Sequence, residues 1–388
     1  MKSLPMKSLL ARHLAGALSA LAAMAFAADG AKAQDIDLPK TITWSSYTVG
    51  SSGYNNTVSI GKVLKDRLGV NLRPIPGKND IARLAPIRSG KVDFGLAGGG
   101  APFAFEGDLI FARKDWGPQK LRVLVFNNPD SGVVMITRGD SGIKSWADVK
   151  GRKVAAVLSS AAIEVAMTGG LAFGGYSWDD VERVEFPGYV ASVKGVMNGD
   201  ADVAFALSTT SVLYQMESSP AGLRYIPMPH DDKEGWARLQ KIAFHIVPHS
   251  ATEGAGMSKD KPLQTGTYPY PVLATYAEKD DDIVYNMTKA MHVFFDDYKD
   301  AAPGNRGFGL DRQLYDWVVP FHPGAIKYLK EAGIWKPEYD AHQAKLLARE
   351  EVLQSAWAAF KQAAPSDDAA FKEGWLKARR AALTKAGM

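Results

Sequence analysis

Pro76-Gly-Lys-Asn-Asp80, a helical run, and then Ser89-Gly-Lys-Val-Asp-Phe-Gly-Leu-Ala97 stand in the first third of the chain. Pro187-Gly188, a second helical run, and Asn198-Gly-Asp-Ala-Asp-Val-Ala-Phe-Ala206 repeat the arrangement further on. In both, a glycine follows the helix and an aspartate leads into a short apolar strand. Glycine adopts the left-handed conformation that ends a helix, so the chain can turn tightly into a buried strand. One supersecondary unit occurring twice predicts two similar α/β lobes, from segments 35–137 and 138–267.

The surrounding segments extend this reading. Thr41–Tyr47 alternates apolar and polar residues, and Val70–Ile75, Val92–Ala97, Leu121–Phe126 and Gly132–Thr137 are short and apolar or β-branched. Lys153–Leu158, Val181–Phe186 and Val203–Leu207 continue the series. Strands separated by helical patterns of about 10–15 residues predict βαβ units and a largely parallel sheet. Beyond Tyr276 the chain reads as helical. Asp281–Phe295 is a helix with Asp280, Asp281 and Asp282 at its positive start. Asp340–Ala364 and Asp367–Gly387 are two amphipathic tail helices, the second capped by Ser366 or Asp367. Such a tail is expected to pack on the body of the protein rather than to dock a partner.

With 388 residues, 46% of them hydrophobic and 23% charged, the chain can bury a core and is not a disordered polymer. It has no cysteine, which excludes a disulfide scaffold, a thiolate metal site and a cysteine nucleophile. Lys2, Lys7, Arg12 and His13 precede an apolar run from Leu14 to Phe26, and Ala31-Lys-Ala33 supplies small residues for cleavage. This is the pattern of a secretory signal peptide over 1–33, and it places the mature protein in the periplasm. The leader carries four of the cations and one of the anions, so the net charge of +4 falls to about +1 on its removal. No basic stripe interleaved with aromatics remains, and nucleic acid is not an expected partner.

The motifs of catalysis are missing. Gly139-Asp-Ser-Gly142 lacks the last glycine of a nucleophile elbow, and Gly61-Lys62, Gly77-Lys78 and Gly90-Lys91 are not followed by Ser or Thr as a phosphate loop requires. His245 and His249 are four apart, but Pro248 between them argues against a metal-binding helix face. No enzyme activity, cofactor or metal is expected. Polar loops at strand ends are more informative. Gly50–Asn56, Gly77–Asp80 and Ser159-Ser160 open helices, and Ser208–Ser211 closes a strand. Ligands of α/β sheets sit beyond the carboxyl ends of strands, where helix N-termini suit a carboxylate.

The mature chain to about Trp335 resembles the TAXI-type solute receptors of TRAP transporters. Pro320-Phe-His-Pro-Gly-Ala325 is similar to the family's terminal signature, Gly50-Ser-Ser-Gly53 to its first ligand loop and Ser89–Leu96 to its S-G-x-V-D-x-G-L segment. Ile143–Val154 is similar to its D-L-K-G-K-x-V stretch, which other binding proteins share. Gly98-Gly-Gly100 and Ser159-Ser-Ala-Ala162 depart from the family's polar and glycine-bearing versions of those segments. The resemblance implies an α/β, bilobed periplasmic-binding-protein fold of the second type, here with an added C-terminal helical tail. Lobe one would comprise 34–137 and 268–335, lobe two 138–267, and the extension 336–388. A small organic acid would be held between the lobes and delivered to membrane-embedded, ion-gradient-driven TRAP permease subunits. Ser52, Tyr54, Asn55, Lys78, Asn79, Asp80 and Gly99 would line one side, Ser159, Ser160, Tyr189 and Thr209 the other, with Tyr268 near the hinge. Lys78 would pair with the carboxylate; Arg83 and Arg88 are alternatives, expected at the surface. The competing readings are a receptor for an ATP-driven sulfonate importer, a secreted enzyme on the same fold, and a sensor that signals through its tail.

Overall fold

Short strands rich in Val, Ile, Phe and Ala, separated by helices with one apolar face, assemble two separate sheets in the computed structural model, which describes residues 36–157 and 160–388. The expected signal peptide and Ser159 lie outside the described residues. The first sheet holds β1 (Thr41–Ser46), β2 (Asn71–Pro76), β3 (Phe94–Ala97), β4 (Leu121–Phe126) and, from far along the chain, β12 (Val272–Tyr276). Their order is β2-β1-β3-β12-β4. β1 runs parallel to β2 and β3, whereas β12 is antiparallel to both neighbours. The second sheet holds β5 (Val133–Arg138), β8 (Ala204–Leu207), β9 (Leu223–Ile226), β10 (Val247–Ala251) and β11 (Leu263–Thr267), all paired antiparallel. A parallel pair, β6 (Lys153–Val157) and β7 (Glu182–Phe186), adjoins it through a bridge from Val154 to Val203.

The bilobed α/β architecture is as expected, with two corrections. Outside isolated bridges, parallel pairing among the described strands joins β1 to β2 and β3, and β6 to β7, because the strands that carry the chain between sheets enter and leave in opposite directions. The expected lobe boundary after residue 137 is also displaced. The chain crosses between Phe126 and Val133, and β5 is registered against β8 and β9. Its buried apolar face therefore belongs to the second sheet. The return crossover lies between Thr267 and Val272.

Helices cover the sheets. α1 (Ser52–Leu68), α2 (Asp80–Arg88) and the short α3 (Ala101–Glu106) belong to the first, and α4 (Ala161–Phe173), α5 (Tyr189–Asn198), α6 (Ser211–Glu217) and α7 (Lys233–Gln240) to the second. The chain then adds α8 (Asp281–Val293), α9 (Phe295–Tyr298) and α10 (Pro323–Glu331) to the first lobe. The Pro320–Ala325 signature has a structural role there. Phe321 bridges to Val123 of β4, the His322 ring caps α10 by accepting from Gly324 N, and a Cβ at Gly324 would lie 2.2 Å from Asp281 O. Only glycine lets α10 pack so closely on α8.

The tail forms α11 (Pro337–Gln362) and α12 (Asp368–Lys385), both docked on the first lobe. Glu350 receives a buried, two-pronged bond from Arg122 of β4 at 2.6 and 2.9 Å. Glu106 is shared by Arg349 and Arg379, and Trp375 donates to Gly107 O. Trp357, Phe371 and Trp375 form a small aromatic core of their own with Ala112. No helix among the described residues is long and apolar enough to cross a membrane.

Candidate ligand-binding site

Where the carboxyl ends of β1, β3 and β8 approach one another, a small cavity of about 40 Å³ lies between the lobes. That volume is room for a few water-sized groups. Tyr47, Thr48, Ser51, Lys78, Arg83 and Gly99 of the first lobe line it. Ser160, Ala162, Ile163, Tyr189, Phe205 and Leu207 of the second lobe face them, and Tyr268 and Tyr270 of the return crossover complete the wall.

The first lobe supplies the charge. α2 starts with the Asn79 side chain accepting from Ala82 N at 2.8 Å, and its inward face carries Asp80, Arg83, Leu84 and Ile87. Arg83 is 6% exposed; it pairs with Asp80, donates to Gly77 O and lies 3.9 Å from the centre of the Tyr47 ring. Burial alone would lower the Arg83 pKa, but Tyr47 and Asp80 outweigh it and raise it, so the guanidinium stays charged. Burial also raises Tyr47, Tyr268 and Tyr270 above the ordinary phenol value, and takes Tyr189 up to about 12. All four are neutral hydroxyl donors at physiological pH.

The glycine run is what admits these side chains. A Cβ at Gly98 would sit 2.6 Å from Tyr47 Oη and 2.8 Å from Tyr270 Cδ2. At Gly99 it would be 3.0 Å from His245 Nε2, and at Gly100 2.6 Å from the Asp80 carboxyl carbon. The second lobe brings the start of α4, whose N-cap Ser160 makes no side-chain capping bond. Among the described residues, no side chain caps the first N–H groups of that helix, which suit an acceptor. Tyr189 is already committed: its hydroxyl is 2.6 Å from Thr210 Oγ1 and accepts from Leu207 N.

Of the residues expected at the site, Lys78, Gly99, Ser160, Tyr189 and Tyr268 line the cavity. Ser52 is buried at the first turn of α1, and Asn79 and Asp80 act through α2 and Arg83. Tyr54 and Asn55 face a different groove, alongside Val58, Asp297 and Pro303. Asn55 nonetheless joins the lobes, donating to Ser211 Oγ at 2.9 Å. Thr209 is buried outside the lining, and its neighbour Thr210 makes the contact to Tyr189. Arg83 corrects the expectation of a surface role, whereas Arg88 is at the surface, donating to Asp115 O. Tyr47, Tyr270, Phe205 and Leu207 were not foreseen; the repeated Tyr-Pro of Tyr268–Pro271 was the one available signal.

Behind the cavity, His245 is 8% exposed, and neither ring nitrogen has a hydrogen-bond partner among the described residues. Phe103, Phe244 and Tyr268 surround it edge-on, at 5.8, 5.5 and 5.3 Å between ring centres. Burial alone holds its pKa down at about 4. No group of three or more metal-ligating side chains occurs among the described residues.

A family described as NMT1-like matches residues 48–333. Among solved structures the chain is similar to an ancestral arginine-binding protein bound to arginine, with 17% identity and a TM-score of 0.41 over 68% of this chain and 97% of that one. It is also similar to a putative periplasmic sulfonate-binding protein of Methylobacillus flagellatus, with 14% identity and a TM-score of 0.39 over 80% and 96%. A third is the GluR0 ligand-binding core in complex with L-glutamate, with 11% identity and a TM-score of 0.38 over 69% and 97%.

Proposed function

The chain belongs to the NMT1-like family, and from that premise we propose that it is an extracytoplasmic receptor that closes two lobes over a small organic anion and passes it to a membrane permease. The observation that carries this reading is a cavity walled by both lobes and by the return crossover. The anionic head would lie between Lys78 and Arg83 on one side and the uncapped start of α4 on the other. Neither lobe alone offers all of these groups, so the ligand binds the closed form better and draws the equilibrium toward it. Lobe one would run to the crossover after Phe126 and resume at the return crossover, with lobe two between them. The permease would be of the TRAP type, driven by an ion gradient, as the Pro320–Ala325 resemblance implies. Uptake that stops on collapse of the gradient, and not on ATP depletion, would support that partner over an ATP-driven one.

The direct test is a thermal-shift screen of carboxylates, amino acids and sulfonates on the chain without residues 1–33. A ligand at a hundredfold excess over its Kd adds about 2.7 kcal/mol of apparent stability. The hit should be recovered chemically unchanged after incubation at stoichiometric occupancy, whereas conversion would make the protein an enzyme. No stabilisation by any anion would end the receptor reading.

A further inference from the structure

We infer that this cavity selects a compact monocarboxylate with a hydrocarbon body, against amino acids and dicarboxylates. The inference rests on the receptor reading above and concerns what the same cavity accepts. Its lining carries two cations, Lys78 and Arg83, and no carboxylate among the described residues. Asp80 is the acid that pairs with Arg83, but its carboxyl group is turned against Gly100 and is not part of the wall. Lys78, Arg83 and Asp80 together leave one net positive charge, which matches one anionic head. A ligand ammonium would instead meet a guanidinium and a lysine, with no acid within the wall to pair it.

Most side chains of the facing wall are hydrocarbon. Beyond Ser160 and the helix start that faces the anionic head, Ala162, Ile163, Phe205 and Leu207 contribute only apolar side chains, and the Tyr189 hydroxyl is already engaged by Thr210 and Leu207 N. A second carboxylate directed there would lose its water and gain no cation, which a buried charge does not tolerate. A methyl or methylene group would find close-packed partners instead. Tyr47 and Tyr270, whose ring centres lie 4.9 Å apart, close the cavity from the side and keep its volume small. Selection thus comes from exclusion as much as attraction.

Isothermal titration of matched pairs tests this. Valine is 3-methylbutanoate with an added amine, and succinate is butanoate with its terminal methyl replaced by a carboxylate. The expected result is that 3-methylbutanoate and butanoate bind at least about tenfold more tightly than valine and succinate. Propane-1-sulfonate separates a preference for any monoanion from one for a carboxylate, and binding as tight as that of butanoate would overturn the carboxylate assignment. Valine or succinate binding equally well or better would overturn the ligand class while leaving a receptor in place. Silence across the whole set, with no thermal shift from any other anion, would remove the receptor reading too. Ile163→Lys, at a half-buried position of the hydrocarbon wall, should improve succinate binding relative to butanoate by at least about tenfold. A folded Ile163→Lys protein with an unchanged ratio would show that this wall does not set the preference.

Discussion

Two side chains at the cavity illustrate how differently a cation can serve one site. Lys78 is exposed at the mouth, and Arg83 is buried beneath Tyr47 with Asp80 beside it. Lys78→Ala is expected to weaken an anionic ligand by about 1 kcal/mol, at the low end for a charge-assisted bond because solvent and salt screen it. Titrations at two ionic strengths check this, and an affinity that does not change removes Lys78 from the site. Arg83→Ala should lower stability as well as binding, by about 3–5 kcal/mol, because it leaves Asp80 buried without its partner. A urea melt separates the two effects. Arg83 was misjudged from sequence because a helix with polar residues on every turn does not declare which face is buried; the packing of Leu84 and Ile87 settles it. His245 carries a pH dependence. Its pKa is near 4 when buried, against 6.5 for an ordinary imidazole, so the unfolded chain takes up the proton first. The stability from its burial is complete above about pH 6.5 and falls as the pH drops toward 4, by about 3 kcal/mol in all. Urea melts across that window should show the loss, and His245→Leu should remove its share, leaving what His249 and His322, also held down by burial, contribute.

At the level of elements, the strands were the most readable part and their directions the least. Alternation and β-branching mark β1, β4 and β5 whichever way a neighbour runs, so the pattern carries no sign of parallel or antiparallel pairing. Likewise nothing in Val133–Arg138 distinguishes the two sheets, since both would bury it. The tail helices were readable, but their docking was not, because it depends on partners more than two hundred residues away. Glu350 on α11 and Arg122 on β4 are the deepest of these. Glu350→Gln is expected to cost about 3–5 kcal/mol by leaving the guanidinium buried without a counter-charge. The double variant Arg122→Met with Glu350→Leu should recover most of that loss, a pattern that calorimetry of the three proteins would reveal. If Glu350→Gln leaves the melting temperature unchanged, the tail is not held by this pair.

Across the whole molecule, the repeated Gly-x-x-Asp unit was sufficient to foresee two lobes, and the strand-end loops pointed to the space between them. The actual wall owes more to tyrosines and to Gly98–Gly100, where absence of a side chain matters and sequence offers no direct sign of what fills the room. Placing β12 between β3 and β4 has a consequence for how the chain reaches this form. Nascent chain up to Thr267 contains every strand of the second sheet, whereas the first still has a gap between β3 and β4. Contacts that must wait for distant partners form slowly. Pulsed hydrogen exchange during refolding should therefore protect amides of β5, β8 and β11 before those of β3 and β4, making the later-synthesised lobe the earlier one to mature.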